Sequence, residues 1–250
     1  MTVYKIAVLE GDGIGPEITQ EAIKILEFVG SRNKIKFELN PAPFGAAAYF
    51  SHGHPFPTET KKICDDADAI LKGPIGLNHE DSKKIPIDLQ PERGALLPLR
   101  KRYNTFANIR PVFLPHGLAH FSPLKPEIIG NGIDLIMIRE LVGGLYFGTK
   151  ETGINEDGKR FVSETLEYNE DQIKRIAKVA FDTARKRKKV LHNIHKSNVL
   201  KSSVLWNEIV EEVGKDYPDI EVIPILVDAA ATYLCLNPSQ FDVMVMENMF

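Results

Sequence analysis

The chain has 250 residues, 43% of them hydrophobic and 26% charged, and 31 Lys and Arg against 34 Asp and Glu leave a net charge of −3. This is globular composition, long enough for one large or two smaller α/β domains, and it excludes wholesale disorder and fibrous repeats. The near-neutral balance gives no electrostatic footing for nucleic acid, and no apolar run approaches the roughly 18 residues of a membrane span. Two distant cysteines, Cys64 and Cys235, exclude a disulfide scaffold and a zinc cluster and fit a reducing cytoplasm.

Strand-like and helix-like segments alternate. Residues 5–9 (KIAVL) predict a buried strand stopped by glycines. Pro16 and Glu17 then open a helix with Ile18, Ala22, Ile25, Leu26 and Val29 at helical spacing. Further strands are predicted at 68–71, 133–138, 190–194, 221–227 and 241–246. Residues 83–98, with three prolines, predict a loop. Asn169, with Gln172 three residues on, caps a helix whose apolar face is Ile173, Ile176, Ala177, Ala180, Phe181 and Ala184. Another helix runs around Leu205, Ile209 and Val213. Repeated strand–helix order predicts an α/β fold of mostly parallel sheets. Residues 144–148 and 161–168, flanking the turn dipeptide Asp157-Gly158, predict a projecting antiparallel arm. The basic run 185–189 reads as cations at a helix C-terminus on a solvated face. The chain stops just after an apolar strand, where domains ordinarily end in polar surface residues, so the sequence is expected to continue beyond Phe250.

GDGIGPE (11–17) joins the first strand to the first helix with glycine spacing G-x-G-x-G, which is neither a G-x-G-x-x-G fingerprint nor a P-loop. It is a tight turn whose backbone can approach a ligand, or simply a turn. Arg100, Arg110 and Arg139 sit in apolar surroundings. Either they form guanidinium forks for a dianionic acid, or each pairs with a local acid, Arg139 with Glu140 for example. Tyr146, Lys196 and Asp228 lie near strand ends, where such folds collect ligands. A tyrosine and a lysine can transfer protons and an aspartate can hold a hard cation. Packed tyrosine, surface lysine and helix-cap aspartate are the alternatives.

Taken in order, GDGIGPE, ERGALLPLR, FANIRP, IRELVGGLYFG, HKSNVL, LVDAAA and FDVMVMENMF resemble the β-decarboxylating (isocitrate/isopropylmalate) dehydrogenase family, and most closely its isopropylmalate branch. The resemblance spans the whole chain. It implies two α/β domains: a first, incomplete, over 1–105, and a second over 106–250 with a dimer arm at about 144–168. It implies Arg100, Arg110, Arg139, Leu96 and Leu97 as substrate-binding residues, Tyr146 and Lys196 as acid and base, and Asp228 as ligand of Mg2+ or Mn2+. Gly13, Ile14, Gly73 and Gly76 would contact NAD. The implied partner is a second copy, in a homodimer with shared active sites. The implied reaction is NAD+-dependent oxidative decarboxylation of 3-isopropylmalate to 2-oxoisocaproate, a cytoplasmic step of leucine biosynthesis.

Three departures stand against the isopropylmalate pattern. KGPIGL (72–77) and His195 look closer to isocitrate enzymes, and the family continues past NMF with GDILSD and the main nucleotide loop. Isocitrate is the alternative substrate, disfavoured by the apolar Leu96, Leu97 and Leu99, which leave a third carboxylate unpaired. Homoisocitrate- and tartrate-type activity stay within the same alternative. A non-catalytic fragment or binding subunit is the alternative of another class, and on that ground residues 1–250 alone are expected to be inactive and poorly stable.

Overall fold

The structure is a computed structural model and describes residues 2–250. It divides into two compact units that meet in sequence between Tyr103 and Asn104.

The first unit opens with β1 (Thr2–Leu9), whose second half, from Ile6 to Leu9, is buried. α1 (Gly15–Asn33) begins with Pro16 and Glu17 in its first turn and ends at Lys34 in the left-handed conformation. β2 (Ile35–Pro41), α2 (Ala46–His52), α3 (Thr58–Asp65), β3 (Ala69–Lys72) and the short α4 (His79–Ser82) follow. The three strands form a parallel sheet in the order β2-β1-β3. Its core gathers Leu9, Phe44, Phe56, Cys64, Ala95 and Leu99. Burial pushes the Cys64 thiol up to about 11, which marks a packed, unreactive cysteine.

The expectation of a loop at 83–98 is corrected by the fold. Residues 83–98 are not a plain loop: a 3-10 turn (Ile87–Leu89) and a π-helical turn (Pro91–Leu96) run into α5 (Leu97–Arg102). Each proline sits just before or in the first turn of its segment, where its missing N–H costs no hydrogen bond. The periodic face of α1, in turn, forms a helix but is not covered. Ile18, Ile25, Phe28 and Val29 are all exposed, Ile25 at 63%.

The second unit holds β4 (Ala107–Pro115), α6 (Pro126–Ile129), β5 (Gly132–Glu140), the hairpin β6 (Lys150–Ile154) and β7 (Arg160–Glu164), α7 (Glu170–Arg185), β8 (Val190–His195), α8 (Lys201–Gly214), β9 (Glu221–Leu226), α9 (Val227–Leu236) and β10 (Val243–Met246). The main sheet has the order β4-β5-β10-β8-β9, parallel throughout except for the antiparallel edge pair β4·β5. The last strand, β10, is inserted at the centre and all four of its residues are buried. Asn169 and Gln172 form the reciprocal capping box at the start of α7, and all six predicted apolar-face residues of that helix are buried. They pack with Trp206, Ile209 and Val213 of α8 on one side of the sheet.

The remaining differences have local causes. β4 carries Pro111 and several exposed apolar residues, a pattern that hides a strand and is tolerated at a sheet edge. Residues 144–148 are not extended: Gly144–Tyr146 is a 3-10 turn wrapped on Tyr168, and a Cβ on Gly144 would lie 2.7 Å from the Tyr168 hydroxyl. β9 stops at Leu226, so Asp228 lies in the first turn of α9 and does not end a strand.

Candidate active site

In the second unit the parallel strands β5, β10, β8 and β9 bring their C-terminal ends to one edge of the sheet, the edge where ligands bind in open α/β sheets. Arg139 is the penultimate residue of β5 and pairs in register with Met246 of β10. Its Nε donates to the backbone carbonyl of Asn248 at 2.7 Å, and Nη2 donates to the same oxygen. One edge of the fork is thereby anchored. The guanidinium carbon lies 6.0 Å from the ring centroid of Tyr146, at the outer reach of a cation–π contact. Arg139 and Tyr146 therefore come together.

Arg139 does not pair with Glu140, because successive strand residues face opposite ways. Glu140 is fully buried. Its carboxylate accepts the N–H groups of Val142 (3.0 Å) and Gly143 (2.8 Å) and faces the Arg175 guanidinium at 3.6 Å. Burial pushes this carboxyl above its usual range, and those backbone donors act against the shift. The side chain of Asn248 donates to the Gly143 carbonyl at 2.9 Å, and the Asn248 N–H donates to the Tyr168 hydroxyl at 2.8 Å. The turn carrying Tyr146 is thus held from both sides. Sequence reasoning missed Tyr168 and Asn248, and named Glu140 only as a local partner for Arg139.

Arg110 lies on β4 opposite Met137, two residues along from the Asn108–Arg139 pair. Paired antiparallel residues share a face and alternate residues repeat it, so Arg110 and Arg139 leave the sheet on the same face. Lys196 directly follows β8, and its Nζ donates to Asp228 Oδ1 at 2.7 Å. That bond holds the Asp228 carboxyl below its usual range. His195 is buried, which favours the neutral imidazole. Its Nδ1 accepts the Ser197 N–H at 3.2 Å.

In the first unit Arg100 lies on α5, with Leu96 and Leu97 half-buried at the junction with the π-helical turn, while Leu99 points into the core. Only the first two leucines can line a pocket. Packing by itself accounts for several glycines. A Cβ on Gly11 would meet the Pro74 carbonyl oxygen at 2.0 Å, and one on Gly73 the Glu10 carbonyl oxygen at 2.1 Å. The Asp12 carboxylate, buried, collects the N–H groups of Ala46, Ala47 and Gly76. Gly13 differs. It has φ +58° and nothing within 4 Å of a Cβ position, and Ile14 beside it is exposed at the start of α1. A cleft of about 350 Å3, lined by Glu10, Gly11, Pro16, Pro41, Phe44 and Ala48 among others, opens at this end of β1 and β2. The open backbone at Gly13 and the N-terminus of α1 are features that an anionic group can approach, while the cleft itself carries the acid Glu10. The metal is another matter. Ca2+- or Mg2+-type cations gather several oxygen ligands. Asp228 is instead bound to an ammonium, and among the described residues no three His, Cys, Asp or Glu side chains cluster to hold a metal ion. The described residues therefore do not make a metal site by themselves.

Two α/β units with mostly parallel sheets, with arginine and tyrosine at the C-terminal end of β5 and lysine and aspartate at those of β8 and β9, make a frame suited to an enzyme that acts on a small acid. The isocitrate/isopropylmalate dehydrogenase family model matches residues 5–250, and the chain belongs to that family. It is 48% identical over 250 residues to the 3-isopropylmalate dehydrogenase of Campylobacter jejuni (strain RM1221), covering 100% of this chain and 68% of that protein. The 3-isopropylmalate dehydrogenase of Vibrio vulnificus (strain YJ016) is 45% identical over 247 residues, with 99% and 68% covered. Among solved structures, isocitrate dehydrogenase from Methylococcus capsulatus superposes with a TM-score of 0.80 at 30% identity, covering 98% of this chain and 67% of that one. The chain thus spans about two thirds of the length of these relatives. No helix among the described residues is long and apolar enough to cross a membrane.

Proposed function

We propose that the protein catalyses the NAD+-dependent oxidative decarboxylation of 3-isopropylmalate. The observation that carries this reading is the 45–48% identity, over essentially the whole chain, to 3-isopropylmalate dehydrogenases. The half-buried Leu96 and Leu97 support it over isocitrate, because apolar side chains suit an isopropyl group and leave a third carboxylate without donors.

Arg110 and Arg139 hold carboxylate oxygens, the second through the part of its fork that the Asn248 carbonyl leaves open, and Arg100 has the same task. Lys196, as the neutral amine freed of its proton and of the Asp228 contact, accepts the C2 hydroxyl proton at Nζ as the C2 hydride departs, giving a 2-oxo acid. NAD+, when bound, takes that hydride. The carboxyl group β to the new carbonyl leaves as CO2, its bonding pair passes into the enolate, and the Tyr146 hydroxyl protonates the enolate carbon. The arginines stabilise the charge on the way. Gly13 and Ile14 lie against the dinucleotide, with Gly73 and Gly76 shaping the adjoining loop. Asp228, once released from Lys196, would offer one carboxylate to Mg2+ or Mn2+. The exposed Ile154 and Val162 on the β6–β7 hairpin support an arm that clasps a second copy, and in that homodimer Lys196 and Asp228 serve the neighbouring active site. The protein works in the cytoplasm, in leucine biosynthesis. Incubating the full-length protein with 3-isopropylmalate, NAD+ and Mg2+ tests the reaction: NADH, CO2 and 2-oxoisocaproate should appear in equal amounts. NADH without CO2 would refute the decarboxylation step.

A further inference from the structure

We propose that Ser203 and Glu247 are positioning residues for Lys196, holding its backbone through a buried hydroxyl–carboxyl relay. The inference rests on the reading of Lys196 as proton acceptor. The Lys196 N–H donates to Ser203 Oγ at 3.1 Å, and the Ser203 hydroxyl donates to Glu247 Oε1. Ser203 lies in the first turn of α8 and Glu247 directly follows β10, and both are fully buried. On its other side, the Lys196 carbonyl accepts the N–H groups of Val199 (3.0 Å) and Leu200 (2.9 Å). The residue is therefore fixed through both its N–H and its carbonyl, on an otherwise tight link between β8 and α8.

Glu247 is expensive where it stands. Its second carboxyl oxygen is buried without a hydrogen-bond partner among the described residues. Packing alone would be served better by an apolar side chain of similar volume. The carboxyl does what such a side chain cannot. A serine hydroxyl has one hydrogen and two lone pairs. With Glu247 taking the hydrogen, the lone pairs turn toward the Lys196 N–H. Glu247 thus sets the direction of the hydroxyl, the hydroxyl sets the Lys196 backbone, and the backbone sets the origin of the side chain that reaches Asp228.

The test is amide hydrogen exchange and steady-state kinetics on the full-length protein and four variants. Ser203→Ala and Glu247→Leu should raise exchange at the Lys196 amide about tenfold, the loss of roughly one hydrogen bond's worth of protection. In both variants kcat should fall with KM for the dicarboxylate nearly unchanged. Ser203→Thr and Glu247→Gln keep a hydroxyl and an acceptor and should restore both readouts, while the amides of α8 beyond its first turn keep wild-type rates in all four. Unchanged Lys196 exchange in Ser203→Ala would overturn the proposal. So would Glu247→Gln behaving like Glu247→Leu, or exchange rising in step throughout α8, which would mean packing only. A wild-type protein without turnover would defeat the proposed function, and the exchange data would still decide the relay.

Discussion

Gly11 and Gly13 stand two residues apart in one string and are glycine for different reasons. At Gly11 a side chain would collide with the Pro74 carbonyl, on top of a positive φ; at Gly13 only the positive φ opposes it. Gly11→Ala should therefore destabilise the protein by at least about 3 kcal/mol, and Gly13→Ala by only roughly 1–2 kcal/mol, as read from chemical denaturation. If the dinucleotide passes Gly13, that milder variant should weaken NAD+ binding disproportionately, which calorimetry with NAD+ would show. Arg139→Lys loses the fork, and its KM for the dicarboxylate should rise about tenfold or more. Glu247 offers a pH test. Burial raises its native pKa above the unfolded value of 4.5, so the native state holds the proton more tightly. Stability from this group is greatest below about pH 4.5 and falls as pH rises through the native value. Glu247→Gln removes that dependence. Its Tm relative to wild type should be level near pH 4.5 and higher by pH 8; a difference independent of pH would contradict the assignment. Arg139, Tyr146, Lys196 and Asp228 were legible as candidates because charged or hydroxyl-bearing residues next to apolar strands are conspicuous. Asn248 was not singled out, although it lies in the string FDVMVMENMF, because its contacts with Arg139, Gly143 and Tyr168 arise only when β10 inserts between β5 and β8.

At the scale of elements, periodicity served best where both faces of an element have settled partners. α7 has a capping signal and a complete apolar face, and both appear in the fold. Asn169→Ala removes the acceptor for the Gln172 N–H and should lower stability by about 1 kcal/mol, read from urea unfolding of the second unit. α1 has the same kind of face, yet it faces solvent, so its pattern predicted a helix and not a core. β4 escaped notice because Pro111 and an irregular pattern belong to an edge strand. The turns at 87–96 escaped because prolines that begin helical turns look, in sequence, like prolines that break them.

At the scale of the whole molecule, strand–helix alternation gave the parallel sheets, while the order β4-β5-β10-β8-β9 depends on where the last strand inserts, which no local pattern encodes. The family membership rests on the chain-long match, and the choice of substrate within the family turns on a few side chains. Leu96 and Leu97 favour an isopropyl group; His195 and the KGPIGL string point toward isocitrate-type enzymes. Burial gives His195 a structural place at the end of β8, beside the Ser197 backbone, which frees that histidine from any need to select substrate. The most direct measurement is kcat/KM of the full-length protein for 3-isopropylmalate and for isocitrate, side by side, with NAD+ and Mg2+. The value for 3-isopropylmalate should exceed that for isocitrate by at least about a hundredfold, since a buried, unpaired third carboxylate costs several kcal/mol. Equal or higher efficiency with isocitrate would contradict the account.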